Sequence, residues 1–181
     1  SIFKPLDMID TGFYLRPEDR PRLASRFRRI NRELRGEPNP ASYEPNVRGD
    51  AGLLATASDY SCFLRMLLGM GEFDGNRILT ERSVQEMTEN QIGDLVVEMQ
   101  PGAIPDRSNS FPYGAGEDKL GPGFQLKVGV SNGGRSPGSY SWAGINNTHF
   151  WTDPDKGIAA VLLTQVLPFD DDRSIDLRLD F

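Results

Sequence analysis

Residues 138–165 read GSYSWAGINNTHFWTDPDKGIAAVLLTQ, and the fold follows from how this stretch is parsed. Thr148 to Thr152 carries aromatic and β-favouring residues. Asp153-Pro154-Asp155-Lys156-Gly157 supplies turn chemistry, with Gly157 able to take positive φ, and Ile158 to Thr164 is a near-continuous apolar run. The pattern predicts a β-hairpin. A run so apolar cannot alternate between core and water, so its strand is expected to be covered on both faces. Upstream, Ser139 to Trp142 alternates small polar and aromatic residues before Ala143-Gly144, where backbone can approach another group closely. A third strand with a ligand-facing end is the expected reading.

Working outward, Thr56-Ala57-Ser58-Asp59 is a capping-box variant: the Thr56 hydroxyl can accept the Asp59 amide while the Asp59 carboxylate reaches back. Tyr60, Phe63, Leu64, Leu67 and Leu68 follow at helical spacing, and Gly69 and Gly71 end the helix. After an Asp74-Gly75 turn, Thr80 caps a shorter helix bearing Val84 and Met87. Phe124, Leu126, Val128 and Val130 alternate as one face of a strand, and Asp170 to Phe181 begins a further helix. Pro17 to Ile30 shows helical spacing through Leu23, Phe27, Ile30 and Leu34, with Arg26, Arg28, Arg29, Arg32 and Arg35 as its solvated face. Two long loops are expected, Gly36 to Gly49 and Pro101 to Gly123, both rich in turn-forming residues.

The net charge of -6 and pI near 4.9 argue against a nucleic-acid surface. No apolar stretch reaches the length of a membrane span. Cys62 has no cysteine to pair with and sits on the apolar side of its helix, as a buried, inert thiol; with a single His in the chain it cannot form a conventional zinc site. No cofactor is implied, and the compartment stays open because the chain begins at Ser1.

Several motifs match in letters but not in context. Gly129-Val130-Ser131-Asn132-Gly133 spells the G-x-S-x-G elbow, yet Gly134 to Gly138 cannot supply the helix that must follow, so an ordinary turn is preferred. Ser1-Ile2-Phe3-Lys4 spells S-x-x-K, but Pro5 biases Lys4 away from helical geometry. Asp153, Asp155 and Gly157 resemble a calcium loop without its Glu. His149 is read as structural or substrate-flanking rather than as a general base, since the chain holds no credible nucleophile for it.

A wider pattern runs through Ile2 to Met8, Thr11 to Phe13, Gly52 to Tyr60, Phe63, Met66 to Leu68, Gly138 to Gly144 and Phe150 to Pro154. In that order it resembles the beta-lactamase-related serine hydrolases, the group of class C beta-lactamases, D-alanyl-D-alanine carboxypeptidases and esterases. The resemblance implies an α+β fold, an antiparallel sheet flanked by helices, with residues 1–181 as the C-terminal portion of one catalytic domain, incomplete at both ends. The family's S-x-x-K and Y-x-N motifs would lie upstream, and no Tyr here is followed by Asn two residues on. The third motif, Lys-Thr-Gly in beta-lactamases, corresponds to Trp142-Ala143-Gly144, similar to the Trp-Gly-Gly of esterase-type members. By resemblance, these three residues line the substrate site, and the Ile145 amide donates to the oxyanion. The expected substrate of the parent enzyme is a small ester or amide cleaved through an acyl-serine, with the chain alone inactive. The alternative is a non-catalytic module that binds a ligand or a partner chain on the same sheet, with self-association or an upstream-half partner as the expected contact.

Overall fold

The computed structural model describes residues 2–39, 47, 49, 51–111, 113–130 and 134–180. Strands β1 (Arg26–Ile30) and β2 (Glu33–Glu37) precede helix α1 (Ala57–Leu68), the short hairpin β3 (Glu72–Phe73) and β4 (Asn76–Arg77), and helix α2 (Glu81–Met87). Then come β5 (Lys119–Leu120), β6 (Gln125–Leu126), β7 (Tyr140–Gly144), β8 (Thr148–Asp153), β9 (Ile158–Leu163), β10 (Val166–Leu167) and helix α3 (Asp172–Asp180). This is the expected α+β architecture. Strands β5-β6-β7-β8-β9 form an antiparallel sheet in sequence order, beside a three-stranded sheet ordered β10-β1-β2.

Helix α1 starts where its cap predicts: the Thr56 hydroxyl accepts the Asp59 amide at 3.1 Å. The second half of the box is built differently. The Asp59 carboxylate accepts the Asp10 amide and the Thr11 hydroxyl, both at 2.8 Å, and so ties the N-terminal segment to the helix. That segment, a 3-10 turn over Lys4–Leu6, delivers Leu6 and Met8 to the core. Leu64, Met66 and Leu67 of α1 pack there with Val84, Phe124, Leu126 and Tyr140. Cys62 is half-buried against this cluster rather than fully enclosed. Thr80 caps α2, accepting the Ser83 amide at 3.0 Å.

The helix expected over Pro17–Ile30 does not form. Pro17–Arg22 is a 3-10 segment with Pro21 inside it, and the arginine run beyond it is the hairpin of β1 and β2. The connecting Asn31 and Arg32 both have positive φ, 50° and 70°, the signature of a tight hairpin turn whose twist suits the strands. Tertiary pairing decides the matter, because β1 also joins β10 in parallel through Phe27↔Val166 and Arg28↔Leu167. The arginines are accordingly not one solvated helical face: Arg26 and Arg28 pair with Glu37, and Arg29 reaches buried Asp171 at 2.5 Å.

Two strand expectations are also corrected. From Phe124 onward only Gln125–Leu126 forms a strand, while Val128 and Val130 are exposed and the Lys127 backbone makes two last bonds, to Ser139 O and from the Gly138 amide. Strand β9 is not enclosed. It is the sheet's edge, with α1 on one face and neither end residue, Ile158 or Leu163, buried. Of the two expected loops, the first begins only after β2, so Gly36 is a strand residue, and most of 40–50 lies outside the described residues. The second contains β5 and a bridge between Gln100 and Phe111.

Candidate functional site

Strand β7 runs between β6 and β8, with Trp142 opposite Phe150, Ala143 opposite His149 and Gly144 opposite Thr148. Alternation along the pleat sends Trp142 to the same face as Phe150 and Val161, which pack on the α1 core, and Ala143 to the other face with His149 and Leu162. Gly144 has a steric reason to be glycine: a Cβ there would sit 2.5 Å from Thr148 Oγ1.

The turn after Gly144 is held from behind. The Asn147 amide bonds Gly144 O at 3.0 Å, and Asn147, fully buried at φ 55°, donates its side-chain amide to Val166 O and Pro168 O at 2.9 and 2.7 Å. Its Oδ1 accepts the Asp171 amide at 3.2 Å, and the Thr164 hydroxyl donates to Asn146 O and Asn147 O. The segment 164–171 thus clamps the turn from one side. The other side is open: Trp142 and Ile145 are each 52% exposed, and among the described residues the Ile145 amide donates to no acceptor. Sequence reasoning passed over Asn147, although an Asn-Asn pair after a strand is the composition of a left-handed turn.

The more enclosed concavity lies elsewhere. A groove of about 350 Å³ on the opposite face of β8 and β9 is lined by His149, Trp151, Ala160, Leu162 and, from α3, Arg178. Trp142, Ala143, Gly144 and Ile145 do not line it. His149 is buried, stacks on Phe169, and has no partner for Nε2 among the described residues. Burial, reinforced by the nearby Arg178 charge, pushes its pKa down to about 4, so the ring is neutral at physiological pH. A neutral ring on the far face from Trp142 is placed for packing, not for accepting a proton at the strand end. Arg178 lies over the Tyr113 ring at 5.2 Å, and burial together with the Arg135 charge lowers its pKa to about 10.

Among the described residues, hydroxyl groups next to carboxylates occur in three places, and each has a local explanation. Thr11 with Asp59 is the tie described above, and Ser174 donates to Asp171, the acid that also holds Arg29 and caps α3. Ser136 meets Asp155 at 3.3 Å in the turn at the far end of β8 from Thr148. In that turn Asp153 accepts the amides of Ser136 and Lys156; burial raises its pKa, but these bonds outweigh it and hold the carboxyl below the usual range. Ser1 and Ser131, the serines of the two accidental motifs, lie outside the described residues. No group of three or more His, Cys, Asp or Glu able to hold a metal ion occurs among the described residues, and no helix there is long and apolar enough to cross a membrane.

Comparison with known proteins agrees on one group. The family model described as Beta-lactamase matches residues 1–181. Protein Rv1367c of Mycobacterium tuberculosis is 30% identical over 97% of this chain, which spans 43% of that protein. Among solved structures, the LovD6 mutant of simvastatin synthase from Aspergillus terreus superposes with a TM-score of 0.78 at 21% identity, over 98% of this chain and 46% of that one. EstCE1, described as a hydrolase with promiscuous acyltransferase activity, gives a TM-score of 0.70 at 17% identity over 98% of this chain and 47% of its own. At such identities the superpositions speak for the fold alone. The chain spans less than half the length of these relatives.

Proposed function

Since this chain belongs to the beta-lactamase family, we propose that it is the C-terminal portion of a serine hydrolase domain that cleaves esters or amides, with the end of β7 as one wall of the acyl site. The observation that carries the reading is the open turn at Gly144-Ile145. A strand end clamped from behind by Asn147 leaves the Ile145 N–H without an acceptor among the described residues, as a free oxyanion donor must be.

In the proposed reaction a Ser hydroxyl on polypeptide upstream of these residues adds to the substrate carbonyl, its proton passing to a Lys and Tyr pair. Negative charge gathers on the carbonyl oxygen, where the Ile145 amide donates; the alcohol or amine leaves with a proton, and water then releases the acyl group. One fixed donor of this kind is worth about 3 to 4 kcal/mol in hydrolases. Trp142, standing where beta-lactamases carry Lys, offers an exposed apolar face in place of a cation for a substrate carboxylate. Small neutral esters are therefore the preferred substrates over beta-lactams.

The test is hydrolysis of a short-chain aryl ester. The 181-residue chain alone is expected to show none and to take no label from a fluorophosphonate probe, and activity is expected once a piece carrying S-x-x-K and Y-x-N is joined to it. Turnover by the chain alone would overturn the proposal, as would faster turnover of a beta-lactam than of the ester by the joined protein.

A further inference from the structure

The clamp behind the turn at Gly144 reaches further back than Asn147. Gly144 pairs with Thr148 across β7 and β8, so residues 145–147 form a three-residue loop, closed by Asn147 at a positive φ of 55°. Gly144 O accepts the Asn147 amide at 3.0 Å. The Gly144 carbonyl and the Ile145 N–H belong to one planar trans peptide and point opposite ways. The bond that turns the carbonyl into the loop therefore sends the N–H out of it, and that direction is only as firm as the seat of Asn147.

Asn147 is fully buried, and its side chain bonds to Val166 O, Pro168 O and the Asp171 amide. Strand β1 holds both ends of this seat. Phe27 pairs with Val166, and two residues on, Arg29 grips the buried Asp171 carboxylate at two points, Nε at 2.5 Å and Nη2 at 3.1 Å. Neither neighbouring element needs that grip for its own formation: Asp171 caps α3 through the Ser174 amide and hydroxyl, and β1 joins β10 through its backbone. Against its desolvation a buried ion pair adds little net stability, whereas a two-point guanidinium–carboxylate pair fixes geometry. Arg29, Asp171 and Asn147 thus run unbroken from the β1–β2 hairpin to the peptide at the end of β7.

Resting on the reading above that the Ile145 N–H meets the oxyanion, we propose that Arg29, Asp171 and Asn147 are positioning residues for that donor. They touch no substrate; they hold the Gly144–Ile145 peptide at the angle where negative charge develops. An interaction realised in the transition state alone governs kcat and leaves KM in place. Misplacing such a group by about 1 Å costs about 100-fold in rate.

The test compares four forms of the joined protein of the hydrolysis assay: wild type, Arg29→Met, Arg29→Lys and Asn147→Gly. Glycine takes a positive φ freely, so the last form keeps the loop and removes the side chain. Aryl-ester kinetics are counted per fluorophosphonate-labelled site, and nitrogen-15 relaxation is read on isoleucine amides. Arg29→Met and Asn147→Gly are each expected to lower kcat about 10- to 100-fold while KM changes less than about twofold. Arg29→Lys, which keeps the charge but not the two-point grip, should fall between. The Ile145 order parameter is expected to drop from about 0.85 to below about 0.6. Ile78, whose amide donates to Gly71 O at 2.8 Å, should not change. A lower thermal midpoint with kcat per labelled site intact would mean a merely structural trio and overturns the proposal. Unchanged order at Ile145 in both Arg29→Met and Asn147→Gly overturns it as well, whatever the kinetics. If the joined wild type hydrolyses no ester, the enzymatic reading falls by itself, and the relaxation data still decide whether the trio holds the peptide.

Discussion

Asp59 shows how much one carboxylate can hold. It sits in the first turn of α1, where the positive helix end favours a negative charge, and one of its oxygens, Oδ2, accepts both the Asp10 amide and the Thr11 hydroxyl. Asp59→Ala leaves both donors without their acceptor and is expected to lower unfolding free energy by about 2 to 3 kcal/mol, measured by urea denaturation. Thr56→Ala removes only the cap and should cost about 1 kcal/mol in the same assay. His149 gives stability a pH dependence. The unfolded chain takes up a proton at this ring below about pH 6.5, whereas the folded chain refuses it until about pH 4. Unfolding is therefore favoured as pH falls through that window, by up to roughly 3 kcal/mol at its lower end. His149→Gln should flatten the curve of urea midpoint against pH between 7 and 4. Much of the residue scale was legible in advance: the caps at Thr56 and Thr80 are read from hydroxyls three residues ahead of the amides they accept. The destination of the Asp59 carboxylate was not, because its partners lie 48 and 49 residues away.

At the level of elements, the β7-β8-β9 meander and α1 came from local signals strong enough to survive any context: a turn rich in Asp, Pro and Gly, and a capped apolar stripe. The segment Pro17–Ile30 lacked such a signal. Its apolar spacing suits a helix on paper, yet β10, some 140 residues later, recruits Phe27 and Arg28 into a strand pair. The turn between β1 and β2 keeps a mark of this conflict, since Arg32 adopts a φ of 70° that L-residues resist. Arg32→Gly is expected to stabilise the protein by about 0.5 to 1 kcal/mol, read as a rise in thermal midpoint. Within α1, Leu67→Ala should cost about 2 to 5 kcal/mol, because Leu67 is fully buried among side chains that cannot all collapse into the space.

For the molecule as a whole, the uncovered faces matter most. The five-stranded sheet carries α1 on one side of β9, while the groove on its other side remains open. Leu163→Lys, at the 38% exposed end of the edge strand, is expected to reduce self-association of the isolated chain in light scattering without shifting its thermal midpoint by more than a degree or two. An unchanged scattering profile would mean that the edge is not the sticky surface.

The sequence by itself determined the order of the central strands, the position of α1 and the membership of a family, because each depends on residues within a few positions of one another or on a pattern spread in order along the chain. Only the tertiary structure decided that the arginine run is a hairpin, that β9 is an edge, and that Asn147 clamps the turn at Gly144. Each of these rests on a contact between segments far apart in the chain, and a pairing of that kind leaves no periodicity in either segment to be read.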